Sequence, residues 1–439
     1  MPAESTTYPD LFRIPTFPRL ASSVVLARTA NAMMQLALVL FTLQRFHSPT
    51  LAGVTIFLAI APGIAVSPIA GALLDRHGRV RLIMLDYAVG ALSLFLIAGL
   101  DAAGRLTPAV LLPIVTVGAL TYSLSNSGAR SLLPLIVPSR LWDRANALDS
   151  MAYAVTGAAG PALAGGLTAG FGARVALLAS AAFFVAAALP MVGLTEPVAR
   201  GGTTSVLGDA REGLVYVVVR NASLRGLAIV IGLVNAGFGI LIVALPVMIF
   251  QRVHGDAALV GEVWALLGLG SALSVIYFGR HSSEGRERVM LGLGTLAGAL
   301  GMAVLAVTGN VIAVAAAMAF MGIANGPADI ALFSMRQRRT DPAWYGRAFA
   351  ISMSLNFAGT PLGSAISGPL IHVGLTAAIA VATALLLLAA GLTPLLIPKT
   401  AGYKIDGESA RQSRGWLGKP HPEQDRIGGR YGWLGRSSG

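Results

Sequence analysis

The stretch GALLDRHGRVR, residues 71–81, forms a short basic turn between two long apolar runs, which end near Leu74 and restart at Leu82. Each run has the length of about 20 residues that a helix needs to cross a hydrocarbon core of about 30 Å. Short loops rich in arginine stay on the cytoplasmic side of a membrane. The stretch therefore predicts a cytoplasmic loop that joins two transmembrane helices.

The composition of the whole chain indicates a membrane protein. Of its 439 residues, 55% are hydrophobic and 12% are charged, and the mean hydropathy is +0.72. A soluble protein carries about 25% charged residues. Only helices and closed barrels satisfy their backbone polar groups in lipid, and a barrel would show alternating segments of roughly ten residues instead of unbroken apolar runs. We therefore predict an all-α polytopic membrane protein.

Twelve apolar runs follow one another and predict 12 transmembrane helices. Their approximate bounds are 19–44, 50–74, 82–103, 108–129, 144–169, 174–195, 224–250, 257–278, 289–308, 311–334, 346–370 and 374–397. A longer polar stretch separates the sixth run from the seventh. The predicted organisation is a cytoplasmic N-terminal segment (1–18), an N-terminal six-helix bundle (19–195), a cytoplasmic linker (196–223), a C-terminal six-helix bundle (224–397) and a basic disordered cytoplasmic tail (398–439).

The basic residues set the predicted orientation. The segments on one side of the membrane carry 27 of them, whereas the opposite loops carry four, Arg45, Arg105, Arg174 and Arg252. The excess of positive charge marks the cytoplasmic side of an inner membrane, so both termini and the 71–81 loop are predicted there. The net charge of +12 is scattered over short loops and a tail, which argues against a nucleic-acid surface. The charges of the tail are candidates for contact with anionic membrane lipid, and a passive tail is the alternative.

The sequence shows no sign of catalytic or cofactor chemistry. The chain has no cysteine, and its six histidines lack the i, i+4 spacing of a metal site. No glycine-rich phosphate-binding loop and no nucleophile beside a general base is evident. We therefore predict no enzymatic activity, no catalytic residue, no cofactor and no metal.

The 71–81 loop also carries a motif. It fills the pattern G-x-L-x-D-R-x-G-R and resembles the loop signature of the major facilitator superfamily of transporters, through Gly71, Leu73, Asp75, Arg76, Gly78 and Arg79. The resemblance implies two pseudo-symmetric six-helix bundles around a central site. It also implies that Asp75 helps to close a cytoplasmic gate, with two arginines of the motif as charge partners. The two glycines would permit close helix approach and a tight turn. A purely topogenic loop is the alternative.

A second motif lies in the fifth span. GAAGPALAGG, residues 157–166, resembles the Gly-Pro motif GPxxGG of superfamily exporters, although three residues, not two, separate Gly160-Pro161 from Gly165-Gly166. With LARTAN (26–31) and RSLLPLIVPSRLWDRANAL (130–148), it is similar to the branch that holds enterobactin-type siderophore exporters and macrolide efflux proteins. This resemblance implies export. A generic packing face of small residues is the alternative.

Charged side chains inside the predicted spans are candidates for the substrate or coupling site, because a charge in the bilayer is costly and usually functional. Arg28 in the first span and Asp149 in the fifth lie at similar depth. The resemblance implies that these two helices are neighbours. We therefore predict an Arg28–Asp149 pair, acting as a structural lock or as part of the substrate site.

Further polar residues extend this candidate set. Asp329 and Glu262 are candidates to carry a coupling proton, since a carboxyl group that loses its water can take one up. A local ion pair with Arg336 is the alternative for Asp329, and a hydrated interfacial position is the alternative for Glu262. The uncharged Asn31 and Asn126 either line a cavity or bond neighbouring helices.

The function predicted from the sequence is secondary active transport by alternating access. The favoured form is proton-coupled efflux of a small hydrophobic or amphipathic molecule, such as a drug, a siderophore or another metabolite, by a monomer. One alternative is a proton-coupled uptake symporter for a small metabolite, against which the spans rich in Ala, Gly, Leu and Val argue. The other is a non-transporting membrane receptor or assembly factor, against which the intact loop motif argues.

Overall fold

A computed structural model of the chain describes residues 8–196, 206–341 and 344–399. These residues belong to one compact unit, 1–401. Parts of the predicted N-terminal segment and linker, and the predicted tail from residue 400 onward, lie outside the described residues. Within the described ranges the chain is helical, with no β-strand.

The helices of the first half follow the predicted order. They are α1 (Tyr8–Phe12), α2 (Thr16–Phe46), α3 (Pro49–His77), α4 (Arg79–Ala102), α5 (Pro108–Ile136), α6 (Trp142–Phe171) and α7 (Ala173–Ala188). Those that follow are α8 (Val206–Val215), α9 (Ala222–Met248), α10 (Ala257–Phe278), α11 (Glu287–Val307), α12 (Val311–Arg338), α13 (Tyr345–Phe357), α14 (Gly359–Val373) and α15 (Leu375–Leu396). We call α2–α7 the first half and α9–α15 the second half.

Ten segments among the described residues are long and apolar enough to cross a membrane, namely α2–α5, α7, α9–α12 and α15. The other two predicted spans correspond to α6 and to the pair α13 and α14. Helix α6 has 30 residues, but many of them are glycine and alanine, which are only weakly apolar. The helix order is thus consistent with twelve spans, and the fold is that of an all-α polytopic membrane protein.

The eleventh predicted span, 346–370, is not one helix. It divides at Ala358 into α13 and α14. Pro361 has no backbone N–H, so the carbonyl of Phe357 four residues earlier loses its helical partner. This missing hydrogen bond lies at the turn where the helix is interrupted.

Tight turns at the two ends of the molecule are built by different residues. At one end, Gly78 has φ +89° and joins α3 to α4 directly, a conformation that a residue with a Cβ rarely adopts. At the other end, Ser48, Asp256 and Asn310 accept hydrogen bonds from the first backbone N–H groups of α3, α10 and α12. We name these the Gly78 end and the His47 end, after the residue that closes α2.

The two halves contact each other through small residues in the part of the molecule toward the His47 end. Helix α6 packs on α10, and α3 packs on α14. In both contacts glycines face backbone or short side chains of the partner helix, as Gly53, Gly165, Gly261, Gly268 and Gly368 do. Close backbone approach of this kind is typical of helix pairs in membranes.

Candidate functional site

A central cavity of about 460 Å³ lies between the two halves. Its wall is mainly apolar and includes the aromatic rings of Phe238 and Trp264. The polar groups in the wall include those of Gln35, Asn235, Asn325 and Asp329. Leu291 and Leu332, near the Gly78 end of α11 and α12, also line it. The cavity therefore extends toward the Gly78 end, while the helix contacts described above lie toward the His47 end.

Asp329 is the carboxylate of this cavity. Its Oδ2 accepts a hydrogen bond of 2.8 Å from Asn325 Nδ2, one helical turn earlier on α12. Asn325 Nδ2 also lies 3.4 Å from Ser271 Oγ of α10. The carboxylate thus has a neutral amide as its polar partner inside an apolar cavity. Such a group can hold a proton or receive a cation.

Helix α12 contains a proline close to Asp329 and is not interrupted there. Helix α12 runs continuously from Val311 to Arg338 through Pro327. Pro327 cannot donate to the carbonyl of Ile323, and Ser274 Oγ of α10 donates to that carbonyl at 2.6 Å instead. The helix therefore continues through Asn325-Gly326-Pro327, because a neighbouring hydroxyl replaces the missing donor.

The predicted local pair between Asp329 and Arg336 is wrong. Arg336 is 1% exposed, and its guanidinium points to α13, where Nε donates to Ser352 Oγ at 3.2 Å. It lies over the rings of Phe333 and Phe349, at 5.5 and 5.1 Å from their centroids. Two turns of helix separate Arg336 from Asp329 along α12, and packing against α13 decides its direction.

A smaller cavity of about 160 Å³ lies within the first half, and we call it the N-side chamber. It shares Ala32, Gln35 and Gly157 with the central cavity, so the two cavities are adjacent. Three of the predicted candidates are brought together in its wall, Arg28, Asn31 and Asn126. Asn31 donates to the carbonyl of Ala27 within its own helix, at 3.0 Å.

The predicted ion pair between Arg28 and Asp149 is present. Arg28 Nη2 lies 2.7 Å from Asp149 Oδ1, and Nη1 donates to the backbone carbonyl of Asp149 at 3.0 Å. The side chains are 13% and 30% exposed. Two contacts from one guanidinium fix α2 against α6 at the edge of the N-side chamber.

Tyr153 links this pair to the other polar groups of the chamber. The Arg28 guanidinium lies over its ring at 3.7 Å. The Tyr153 hydroxyl accepts from Arg130 Nη2 at 3.2 Å and donates to Asn126 Oδ1 at 3.1 Å. The sequence analysis missed Tyr153, although its i, i+4 spacing from Asp149 places both residues on one face of α6.

Two further carboxylates inside the predicted spans were also missed. Asp86 of α4 is buried and faces the hydroxyls of Thr121 and Ser125 of α5. Asp101, at the His47 end of α4, accepts from Arg45 Nε at 2.8 Å and from Arg174 Nε at 2.8 Å. Their acidic character within apolar spans was the available signal.

The 71–81 loop is bound to the end of its own half. The backbone N–H of Arg79 donates to Glu196 Oε2 at 2.9 Å, and its Nε donates to Ser131 Oγ at 3.0 Å. The tight turn predicted at Gly78 is present. The close helix approach predicted at Gly71 is not, because a Cβ there would meet nothing within 4 Å. Arg76 is exposed.

The side chain of Asp75 falls outside the described part of the chain. Its backbone lies in the last turn of α3. Its predicted role in a gate therefore rests on its motif and on its place at the Gly78 end.

The Gly-Pro segment of α6 packs against two neighbouring helices, α2 and α10. Gly160 lies against Ala32 and the backbone of Met33 in α2, and the carbonyl of Pro161 lies against Gly261 of α10. The segment therefore joins a contact within the first half to a contact between the halves.

Glu262 does not join either cavity. It is exposed near the start of α10 and is not among the residues of either cavity wall. Its exposure is compatible with the interfacial position that the sequence analysis gave as the alternative to a coupling role.

The linker is attached to the second half at the Gly78 end. The ring of Tyr216 stacks on Trp344 with centroids 4.9 Å apart, and its hydroxyl accepts from the backbone N–H of Asp341 at 3.1 Å. Asn221 Nδ2 donates to the carbonyl of Arg339 at 2.7 Å. Burial lowers the pKa of the Arg339 guanidinium below its ordinary value. Helix α8 contacts both α3 and α13, so the linker bridges the two halves.

Comparison with known proteins agrees with this architecture. The model of the Major Facilitator Superfamily matches residues 20–225 and 227–422. The chain is 36% identical over 399 residues to the uncharacterised MFS-type transporter y4rN of Sinorhizobium fredii, covering 90% of this chain and 98% of that protein. It is 27% identical over 395 residues to the multidrug efflux pump Tap of Mycolicibacterium fortuitum, covering 85% and 94%.

Solved structures of transporters share the fold. The nucleoside transporter NupG superposes with a TM-score of 0.70 at 14% identity, over 87% of this chain and 99% of that one. A bacterial homologue of the human lysosomal transporter Spinster, in an inward-facing and unoccupied conformation, superposes with a TM-score of 0.68 at 15% identity, over 89% and 98%. The helix order, the cavity between the halves, the loop motif and these matches lead to one conclusion: the chain belongs to the major facilitator superfamily and is a membrane transporter, not an enzyme.

Proposed function

We propose that this transporter exports a small hydrophobic or amphipathic molecule in exchange for protons, by alternating access. The observation that carries the proposal is the placement of Asp329 in the central cavity. Its carboxylate is bonded to an amide and is surrounded by a mainly apolar wall that includes Trp264 and Phe238. A carboxylate in such a place can exchange a proton for a substrate group.

The direction of transport is proposed from two lines of support. The Gly-Pro segment around Pro161 resembles the exporter motif, and a relative is described as a multidrug efflux pump. Alternating access is consistent with halves that meet through small residues on one side of a central cavity. We assign the Gly78 end to the cytoplasm, with both termini on that side and Asp75 acting at the gate, because basic residues concentrate there.

The transport step is tested in everted membrane vesicles that contain the protein. The probes are a panel of fluorescent hydrophobic dyes together with macrolides and ferric siderophores, each with and without an imposed pH gradient. We expect uptake that an uncoupler abolishes, and we expect Asp329→Asn to abolish it as well. Glu262→Gln is the matched control and should retain uptake. Uptake that needs no pH gradient, or that Asp329→Asn leaves intact, would reject proton exchange at this residue.

The orientation is tested with the cysteine-free chain itself. Single cysteines replace Thr107, at the His47 end, and Glu284, at the Gly78 end, both of which are exposed. In intact cells a membrane-impermeant maleimide should label Thr107→Cys, and it should label Glu284→Cys only after permeabilisation. The reverse pattern would place the 71–81 loop outside the cell.

A further inference from the structure

A buried carboxylate of the first half, Asp86, has no part in the function proposed above. It lies on α4, eight residues from Gly78, and is 4% exposed. Its nearest side-chain partners are the hydroxyls of Ser125 and Thr121 of α5. An ionised carboxylate inside a membrane span is costly unless a cation or several donors compensate it.

The charged and titratable groups around Asp86 come from three helices, α2, α4 and α5. On α2, the guanidinium of Arg28 is already paired with Asp149 of α6, at 2.7 Å. On α4 and α5, the neighbouring titratable side chains are the phenols of Tyr87 and Tyr122. Helix α7 presents the ring of Phe184, 6.3 Å from that of Tyr87. Among the described residues, therefore, no cation forms an ion pair with Asp86.

The hydroxyl partners fit both forms of Asp86, because a hydroxyl can donate to an ionised carboxylate or accept from a protonated one. Ser125 Oγ lies 3.3 Å from the carbonyl of Tyr122, and Thr121 Oγ1 lies 3.2 Å from the carbonyl of Gly118. Each hydroxyl has a single hydrogen to donate but two lone pairs with which to accept. If the hydrogens serve these carbonyls, a protonated carboxyl group completes the arrangement by donating to one of the hydroxyl oxygens.

A route for the proton borders Asp86. Ser125, Tyr87 and Tyr122 all line the N-side chamber, which adjoins the central cavity at Gln35 and Gly157. Ser125 thus touches Asp86 on one side and the chamber on the other. Water in the chamber can deliver a proton to the carboxylate, or remove one, through this hydroxyl.

We propose that Asp86 is a second proton-binding site, in the first half of the transporter, which exchanges its proton with the N-side chamber through Ser125. This proposal rests on the proposed function only for the use that is made of the proton. Each half then carries one protonatable carboxyl group, Asp86 in the first half and Asp329 in the second. The proton binds a carboxylate oxygen of Asp86 and leaves to a chamber water, so that no other reactant is needed.

The test is infrared spectroscopy of the purified protein in lipid nanodiscs, because the carbonyl stretch of a protonated carboxylic acid is separate from the bands of carboxylates. No substrate is required. We expect the wild-type protein to show a protonated-carboxyl band that titrates with pH, and Asp86→Asn to lose one carboxyl group's share of its intensity. Asp329→Asn should keep that share. Asp101→Asn is the control, because the carboxylate of Asp101 pairs with two arginines instead of facing hydroxyls.

Two outcomes would overturn the proposal: a band that is unchanged in Asp86→Asn, or an Asp86 that is ionised at every pH at which the protein is folded. Should Asp86→Asn not accumulate, Ser125→Ala with Thr121→Ala removes the two hydroxyls and keeps the acid. That variant should shift both the frequency and the midpoint of the Asp86 band, and an unshifted band would equally reject the site. Because the spectra need no flux, a negative transport assay and a negative spectrum remain separate results.

Discussion

The carbonyl oxygen of Pro161 lies directly against the backbone of Gly261. This contact places α10 of the second half on α6 of the first, with no side chain between them. Gly165 repeats the arrangement one turn further along α6, against the carbonyl of Ala257. The contact between the halves is therefore a seam of backbone against backbone, whose tightness depends on the absence of Cβ atoms.

Gly261→Leu should separate the halves at this seam. The added side chain meets the carbonyl of Pro161, and overpacking of this kind costs about 1–3 kcal/mol. We expect a lower thermal unfolding midpoint and reduced gradient-driven flux in vesicles. Gly166→Leu is the matched control, because a Cβ at Gly166 meets nothing within 4 Å. Equal effects of the two substitutions would show that the seam has no special role.

The Arg28–Asp149 pair should be energetically coupled. Each single change to alanine leaves one charge without its partner, whereas the double change removes both. We therefore expect a coupling free energy of about 0.5–3 kcal/mol in a double-mutant cycle, measured by thermal unfolding in detergent. The exposed pair of Arg13 and Asp10 serves as the comparison and should show almost no coupling. Additive single effects at Arg28 and Asp149 would mean that the contact does not stabilise the protein.

Asp101 should be a stabilising residue of the first half. It holds arginines from α2 and α7, so Asp101→Asn would leave both Arg45 and Arg174 without a counter-ion. Because both arginines are nearly half exposed, we expect a loss of about 1–3 kcal/mol rather than the larger cost of a fully buried pair. Arg45→Ala should cost less, since Arg174 still pairs with Asp101. Calorimetry of the wild-type protein and the two variants in one detergent checks the order.

Asp75→Asn should impair transport without affecting membrane insertion. The substitution keeps the shape of the side chain and removes the charge that the loop motif assigns to the gate. We expect normal abundance in the membrane and a clear loss of gradient-driven dye uptake by everted vesicles. Glu284→Gln, also at the Gly78 end, is the control and should transport normally. Full activity of Asp75→Asn would reduce the motif to a topogenic signal.

The order of helices could be predicted because most of the spans carry a hydropathy signal of their own. The interruption at Ala358 could not be predicted with the same certainty, since Pro161 and Pro327 lie inside helices that continue. What happens at such a proline depends on its neighbours. At Pro327 a hydroxyl from another helix satisfies the freed carbonyl.

Part of the candidate site could be predicted from the depth of charged residues within the spans. Arg28 and Asp149 are charges at matching depth, and depth is readable once the spans are known. The two arginines of Asp101 lie 56 and 73 residues away along the chain, and no periodicity connects them. Tyr153 carries no formal charge, so its position between two guanidinium groups appears only when α2, α5 and α6 are packed together.

The bond between Glu196 and the backbone N–H of Arg79 has a consequence for biosynthesis. Glu196 follows α7 and is therefore among the last residues of the first half to leave the ribosome. When Glu196 emerges, α4 and Arg79 have already been made, so the bond requires no residue that is translated later. The first six spans can therefore form this bond at the Gly78 end while the remaining helices are still being translated.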